Sequence, residues 1–348
     1  MTKEEAIRLP DSAVFIFSKY KDLFKEKGID IPVPGFSCIR NIMDKYRLAR
    51  MAEASGVSIP KTALLNNSES ALEGVLQFTF PAIIKPCFGF GSSGIQKIQN
   101  KDELLVQYEM ISKKHKDLIL QEFIPGNEIL AVCAIVNSDN EYKKDFCTYW
   151  ISRRPELRVF QTIAETHRME EPPDNLESVR DLFKAIRYIG YANLQFKLDS
   201  RDNNLKLMEI NPRFGSFIWM PLEAGINYPL INLNIHAGER IEFHKINIPS
   251  DTVFLCPDKD LIVLMIYFWC LIKKRLDYLL YKDRISSFQN LPSLRVVIND
   301  YKKSYFCPSK RFDLFVKNFI SDPLVSICIW LLYVWRFLKY EYPRNFQQ

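Results

Sequence analysis

The sequence lacks the cysteine patterns that would indicate a structural zinc site or a disulfide framework. Its eight cysteines are scattered, with no CxxC pair and no cluster of Cys and His at ligand spacing. We therefore expect reduced thiols and a cytoplasmic protein. We also expect no signal peptide, because the N-terminal stretch 1–10 is charged and has no apolar core.

The strict alternation of strand and helix that is typical of a parallel doubly wound sheet is also missing. Helix-like and strand-like segments are intermixed, and the strand-like segments 192–198 and 205–210 are joined by the turn DSRDNN, which predicts a hairpin. No Ser/His/Asp or Cys/His set indicates nucleophilic catalysis. The chain also has no internal repeat and no low-complexity tract.

Positive charge is unevenly distributed along the chain. The formal net charge is +6, yet residues 256–348 contain 15 Lys and Arg against 8 Asp and Glu, so the first 255 residues are almost neutral. A nearly neutral body argues against nucleic-acid binding. With 348 residues, of which 47% are hydrophobic, the chain can form a sizeable core and two or more folding units.

Two apolar runs lie in the basic C-terminal region, at 261–272 and 324–335. Each is followed by basic residues and is shorter than the roughly twenty residues that a membrane-spanning helix needs. Two interpretations stay open. The runs form a buried helical subdomain, or they dock at the surface of an acidic membrane on its cytoplasmic face.

A carboxylate, a carboxamide and a guanidinium alternate in the segment LMEINPRFGS, at Glu209, Asn211 and Arg213. Alternate side chains of a strand point to one face, so all three should project into one cavity. Carboxylate and carboxamide oxygens suit Mg²⁺, which binds few protein groups together with phosphates. A planar Arg suits phosphate oxygens. The alternative is a half-buried strand that ends at a Pro-Arg turn.

A glycine-rich turn and a Pro-Gly strand end are two further candidates for nucleotide contacts. The turn GFGSSG (89–94) follows Lys85 and lies between two strand-like segments, so it predicts a flap whose amide groups and the Ser92 and Ser93 hydroxyls cap phosphates. In QEFIPGNE, backbone groups at the strand end can contact an adenine edge, and Glu128 can accept both ribose hydroxyls. The alternatives are a plain glycine hairpin and an ordinary turn.

The order and spacing of these segments resemble an ATP-grasp enzyme over residues 42–238. The matching segments are MDKYRLARMAEASGVSIPKT, FPAIIKPCFGFGSSG, LQEFIPGNE, and YANLQFKLD with LMEINPRFGS. The resemblance implies an α+β ATP-grasp fold, in which two α+β lobes clamp ATP between antiparallel sheets. The implied parts are a remnant of a preceding domain (1–43), a first lobe with the glycine-rich loop (44–118), a second lobe with the adenine hinge and metal site (119–248), and a basic, apolar helical C-terminal region (249–348).

The preceding domain is expected to be short, because only about forty residues come before Lys45. Residues 13–32, AVFIFSKYKDLFKEKGIDIP, resemble the last strand and helix of such a domain. Either the domain is reduced, or the start codon has been assigned too late. The domain matters because it helps to bind the carboxylate substrate in this family.

The resemblance also implies roles for individual residues. Arg213 corresponds to the arginine that faces the transferred phosphate, and together with Lys85 it forms the catalytic set. Gln195, Glu209 and Asn211 correspond to the metal ligands, with Asp199 a less favoured substitute for Gln195. The nucleotide-binding set comprises two phosphate lysines, the flap, the adenine hinge and a ribose carboxylate: Lys45, Lys85, Gly89, Gly91, Ser92, Ser93, Gly94, Gln121, Glu122, Ile124 and Glu128.

The implied function is that of an ATP-dependent ligase. With ATP and Mg²⁺, or Mn²⁺ in its place, such an enzyme activates a carboxylate as an acylphosphate and joins it to an amine or similar nucleophile. A Gln at position 195 is most similar to carbamoyl phosphate synthetase large chains, so phosphorylation of bicarbonate or carbamate is an alternative. A non-catalytic, membrane-peripheral ATP-binding protein is another. The expected partners are a small carboxylate and an amine, without nucleic acid, and a second copy in a homodimer is a further option.

Overall fold

The computed structural model divides the chain into two compact units, which are described separately. Unit 1 comprises Met1–Thr148 and Met169–Ile248, and unit 2 comprises Tyr149–Arg168 and Pro249–Gln348. The residues that the structure describes are 11–67, 69, 73, 77–88, 94–126, 129–137, 148–153, 161–166, 174–215, 218, 221–222, 226–239, 253–255, 264–265, 267–268, 271–272, 293–305 and 310–312.

Helices and strands are intermixed within these ranges. The helices are α1 (Asp11–Lys19), α2 (Lys21–Glu26), α3 (Phe36–Met43), α4 (Lys45–Ala54), α5 (Lys101–Ser112), α6 (Asp174–Ala185), α7 (Tyr228–His236) and α8 (Leu294–Tyr305). The strands are β1 (Thr62–Leu65), β2 (Ala82–Pro86), β3 (Gln96–Ile98), β4 (Leu118–Glu122), β5 (Ile129–Val136), β6 (Thr148–Arg153), β7 (Gln161–Thr166), β8 (Gly190–Leu198), β9 (Leu205–Asn211), β10 (Val253–Leu255) and β11 (Lys310–Phe312).

The N-terminal apolar run AVFIF forms part of helix α1, so its interpretation as a strand is wrong. The buried residues of α1 are Val14 and Ser18. Four positions separate them, which matches the period of a helix face rather than the alternation of a strand. Five consecutive apolar residues carry no periodicity of their own, so the packing partner decides the conformation.

The first sheet of unit 1 is antiparallel and has the strand order β1-β4-β2-β3. Asn100 caps the start of helix α5, and its Oδ1 accepts from the Glu103 amide at 2.9 Å, while Glu103 Oε2 accepts from the Gln99 amide at 2.7 Å. This exchange satisfies free amides at the start of the helix. Leu104 and Tyr108 of α5 are buried in a cluster with apolar residues of the sheet, so the helix covers one face of this sheet.

The strands β5, β8 and β9 form the second antiparallel set of unit 1, with β8 in the middle. The predicted hairpin is confirmed as β8 and β9, and Asn203 adopts φ 57° in its turn. The ladder contains a β-bulge: Gln195 is opposite Glu209, but Phe196 is opposite Leu207, so Met208 is the extra residue. A bulge of this kind changes where the following side chains point.

Unit 2 contains the strands in the order β11-β10-β7-β6, with β10 and β11 parallel and the other neighbours antiparallel. Run 324–335 and about half of run 261–272 lie outside the described residues. Within the part of the chain that the structure describes, no helix is long and apolar enough to cross a bilayer.

Replacing Gly190 with Ala should destabilise unit 1 strongly. Gly190 adopts φ +106°, and an added Cβ would lie 2.6 Å from Asn232 Oδ1 and 2.8 Å from His236 Nε2. Asn232 Oδ1 accepts from the Tyr191 amide at 2.8 Å, so its displacement leaves a buried donor without its partner. Strain at positive φ and the lost hydrogen bond together predict a loss of about 3 kcal/mol or more in the free energy of unfolding.

Chemical denaturation measures this loss, with Gly28→Ala as the matched control. Gly28 also has positive φ, +75°, but among the described residues nothing lies within 4 Å of its added Cβ. We expect the control to lose only about 1–2 kcal/mol. Equal losses in the two variants would show that the contact with Asn232 contributes nothing.

Burial of His236 predicts that the protein loses stability in mild acid. The pKa of His236 is lowered to about 4, chiefly by burial and also by the Lys21 charge, while Asp30 opposes both. The unfolded chain, with a His pKa of about 6.5, therefore binds more protons between pH 6.5 and 4. The free energy of unfolding should fall over this window, by at most about 3 kcal/mol.

Denaturation curves at several values between pH 7 and pH 4 would measure this dependence. In His236→Leu the imidazole is gone, so the part of the slope that lies between pH 6.5 and pH 4 should be reduced. An unchanged slope in this variant would assign the acid sensitivity to other groups.

Candidate functional site

A buried polar chain holds Lys85 at the centre of the first sheet. Lys85 Nζ donates to Gln121 Oε1 at 2.7 Å, and Gln121 Nε2 donates to Thr62 Oγ1 at 2.9 Å. The Thr62 hydroxyl donates to the Pro60 carbonyl at 2.8 Å. Each of the three side chains is at most 9% exposed. These hydrogen bonds fix the position of the Lys85 ammonium group, because the partners lie on the neighbouring strands β4 and β1.

The ammonium group of Lys85 lies in an environment that disfavours its charge. Its pKa is lowered to about 8, chiefly by burial and also by the positive charge of Lys45, while the negative charge of Glu209 opposes both. Burial also lowers the pKa of Lys45, and Glu209 is the main opposing charge there. The fold therefore brings two lysines and one carboxylate together from α4, β2 and β9.

Lys45 is the first residue of α4, at the positive end of the helix dipole, which favours anions. Asp44 caps this helix, and its Oδ1 accepts from the Tyr46 and Arg47 amides at 3.0 and 3.1 Å. The Lys45 amide donates to the Cys87 carbonyl at 3.0 Å, which joins the helix start to the segment after β2. The two predicted phosphate lysines are thus held at the same place.

The predicted metal ligands occupy facing positions of β8 and β9. Gln195 is opposite Glu209, and Asn193 is opposite Asn211. Asn211 Nδ2 donates to Glu209 Oε1 at 2.9 Å. The carboxylate and the carboxamide share one face because they stand two positions apart in β9. One carboxylate with two carboxamides fits Mg²⁺, which commonly takes one or two carboxylates and completes its shell with waters and phosphates.

Arg213 lies beyond the end of β9 and pairs with a residue that sequence reasoning missed. Its Nε donates to Asp11 Oδ1 at 2.6 Å. Asp11 also raises the pKa of Lys45. Asn193, which is 3% exposed, was missed as well. Asn193 could have been predicted from the sequence, because it stands two positions before Gln195 in the same strand. Nothing in the sequence connects positions 11 and 213.

The less favoured metal ligand Asp199 is engaged elsewhere. Arg201 Nε donates to Asp199 Oδ1 at 2.9 Å, and this hydrogen bond lowers the pKa of Asp199. The same guanidinium also binds the Glu122 carboxylate. The three charges form an ion-paired group at the end of the hinge strand.

The adenine hinge follows β4. The Glu122 amide donates to the Lys61 carbonyl at 2.9 Å, so a backbone contact from Glu122 to adenine has to use its carbonyl oxygen. Ile124 is 2% exposed. The hinge turns at Gly126, where φ is +103° and an added Cβ would lie 2.7 Å from the Leu198 carbonyl. Only a glycine allows this approach to β8.

Part of the predicted nucleotide site lies outside the described residues. Gly94, at the end of the flap, is described and adopts φ +76°. The remaining flap residues and the ribose carboxylate are not described, namely Gly89, Gly91, Ser92, Ser93 and Glu128. Their roles stay predictions.

The family model of the ATP-grasp domain matches residues 42–216. D-aspartate ligase from Enterococcus faecium is 25% identical over 236 residues, covering 62% of this chain and 55% of that protein. The carbamoyl phosphate synthase large chain from Thermotoga neapolitana is 24% identical over 207 residues, covering 53% of this chain and 18% of that protein. The chain thus spans about half the length of the first relative and less than a fifth of the second.

Solved structures confirm the predicted fold. N5-carboxyaminoimidazole synthetase from Staphylococcus aureus, complexed with ADP, superposes with a TM-score of 0.58 at 18% identity, covering 68% of this chain and 61% of that chain. The match of the family model covers half of the chain and includes both predicted phosphate lysines and all the predicted metal ligands. The predicted α+β ATP-grasp fold is correct, and the chain belongs to the ATP-grasp family.

Proposed function

We propose that the protein is an ADP-forming, ATP-dependent ligase that activates a carboxylate as an acylphosphate and joins it to an amine. The observation that carries the proposal is the convergence of Lys45 and Lys85 on Glu209. Two partly or fully buried cations beside one carboxylate form a site for a polyanion that arrives with a cation of its own. The similarity to D-aspartate ligase supports a ligase.

The chain's own residues position the nucleotide in this proposal. Lys45 and Lys85 bind phosphate oxygens, and the Gln121 side chain orients Lys85 through its 2.7 Å hydrogen bond. The Glu122 carbonyl and the Ile124 amide contact adenine. The flap residues and Glu128 cover the phosphates and bind ribose, as predicted from the resemblance. Positioning and neutralisation of charge supply most of the catalysis in phosphoryl transfer.

Gln195, Glu209 and Asn211 would hold Mg²⁺, and Mn²⁺ is expected to substitute for it. When bound there, the metal would neutralise negative charge on the phosphates. Arg213 lies at the end of the same strand and faces the transferred phosphate. Its guanidinium stabilises negative charge on phosphate oxygens through parallel hydrogen bonds.

ADP release in the presence of MgATP and a panel of carboxylic acids and amines tests this proposal. We expect ADP and phosphate to appear only when an acid is present, and ATP to raise the melting temperature more with Mg²⁺ than without it. ADP formation stimulated by bicarbonate alone would favour the carbamoyl phosphate synthetase-like alternative. Binding of MgATP without turnover on any acid would favour the non-catalytic alternative.

The division of the chain into lobes at residues 43, 118 and 248, the homodimer, and the contact of the C-terminal apolar runs with acidic membranes remain proposals. Sedimentation with vesicles that contain acidic lipids tests the last of these. Binding that weakens with added salt would support it, because attraction between exposed charges is screened. Protein that stays in the supernatant at low salt would contradict it.

A further inference from the structure

A cavity of about 130 Å³ lies beside Arg213 in unit 1. Its lining comes from helix α1, the segment between α2 and α3, the start of β8, the segment after β9, and Asn232 of α7. Most of the lining is apolar, with Val14, Phe17, Val33, Tyr191 and Phe214 among its residues. The cavity therefore combines an apolar wall with a guanidinium at its edge.

The hydroxyl of the lining residue Tyr191 donates to Cys133 Sγ at 3.1 Å, and a further polar residue of the lining, Asn232, is also engaged by the protein itself. Its Oδ1 accepts from the Tyr191 amide at 2.8 Å, and its Nδ2 donates to the Pro32 carbonyl at 3.1 Å. A ligand that enters the cavity thus meets Arg213 as the charged group of the lining. A polar group placed deeper would lose its water without gaining an equivalent partner, which is unfavourable.

The guanidinium of Arg213 is already paired with one carboxylate of the protein. Asp11 Oδ1 accepts from Arg213 Nε at 2.6 Å, and Asp11 also acts electrostatically on Lys45. The position in front of Arg213 is therefore one that favours a carboxylate and lies within electrostatic reach of a phosphate lysine. Arg has five N–H donors in a planar fork, so it can bind a second carboxylate through the donors that Asp11 does not use.

We propose that this cavity holds the side chain of the acid that the enzyme activates, and that this acid is a compact, apolar carboxylic acid whose carboxylate lies on Arg213. This inference rests on the proposed ligase function. An apolar cavity of about 150 Å³ in another protein binds benzene. A cavity of about 130 Å³ accordingly accepts a branched aliphatic group of roughly four to six carbon atoms.

Calorimetric titration of the full-length protein, with Mg²⁺ and a non-hydrolysable ATP analogue present, measures the binding of acids directly. The series is acetate, butanoate, 3-methylbutanoate and octanoate, with succinate as the polar counterpart of butanoate. Each buried methylene should strengthen binding about fourfold up to 3-methylbutanoate. Octanoate exceeds the cavity and should bind more weakly than 3-methylbutanoate, and succinate more weakly than butanoate.

Two variants separate the cavity from the charge. Val33→Phe fills the cavity. It should weaken the binding of 3-methylbutanoate by about tenfold or more, while the binding of acetate is unaffected. Arg213→Gln should weaken every acid by roughly tenfold or more, with the dependence on chain length preserved. Phe17→Ala provides a second test of the wall, since it enlarges the cavity and should shift the optimum toward octanoate. Unchanged binding of the ATP analogue in the Val33 and Phe17 variants shows that they are folded.

The outcomes distinguish this inference from the ligase proposal. ADP formation with succinate or another polar acid, together with a flat binding series, overturns the apolar pocket and leaves the ligase intact. A graded binding series without ADP formation from any acid supports the pocket and contradicts the ligase.

Discussion

Glu209→Gln should reduce MgATP-dependent turnover by about a thousandfold, the loss seen when a charge that stabilises a transition state is removed. The substitution preserves shape but removes the carboxylate, which leaves the metal-binding set with carboxamides alone. It also removes the negative charge that opposes the lowering of both lysine pKa values. The cations at the site then lose an anion partner, and the metal loses its charged ligand.

The measurement is the rate of ADP formation at saturating acid, with circular dichroism as the probe of fold. Glu53→Gln is the matched control, because Glu53 makes an exposed pair with Arg50 on the helix that begins at Lys45. Exposed pairs of this kind contribute about 0–1 kcal/mol to stability, so the control should retain the rate of the unmodified protein. Full activity in Glu209→Gln would rule out its assignment as a metal ligand.

Lys85→Met should weaken ATP binding by roughly ten- to a hundredfold, the value of a hydrogen bond between a charged donor and a phosphate. Methionine has nearly the same length and is tolerated in apolar surroundings. The variant should fold, because a buried ammonium is itself costly, although Gln121 Oε1 loses its 2.7 Å donor. The change in nucleotide affinity therefore reports the ammonium group and not the shape of the side chain.

Titration calorimetry with ATP and Mg²⁺ measures this affinity. Lys101→Met is the control. Lys101 is exposed at the start of α5, so this substitution removes the same charge from the protein surface. The control should bind ATP as the unmodified protein does. Equal affinities in the two variants would contradict the assignment of Lys85 to the phosphates.

The local elements around the site were predictable because they depend on residues close in sequence. The strands on either side of the flap and the β8–β9 hairpin are found where the apolar segments and the turn residues predict them. The strand predicted at AVFIF was wrong, since a short, wholly apolar run has no period to distinguish helix from strand. The conformation is decided by packing: burial of Val14 places one face of a helix in the core.

The sequence alone determined the order of the ATP-grasp segments and the residue types that suit phosphate, adenine and magnesium. Those types follow from side-chain chemistry, and their spacing within one strand follows from alternation. The tertiary structure decided which of them meet: Lys45 and Lys85 beside Glu209, and Arg213 beside Asp11, 202 positions earlier in the chain. The tertiary structure also produced the bulge at Met208 and the cavity next to Arg213. Such contacts join distant segments through packing and strand register, which no local pattern encodes.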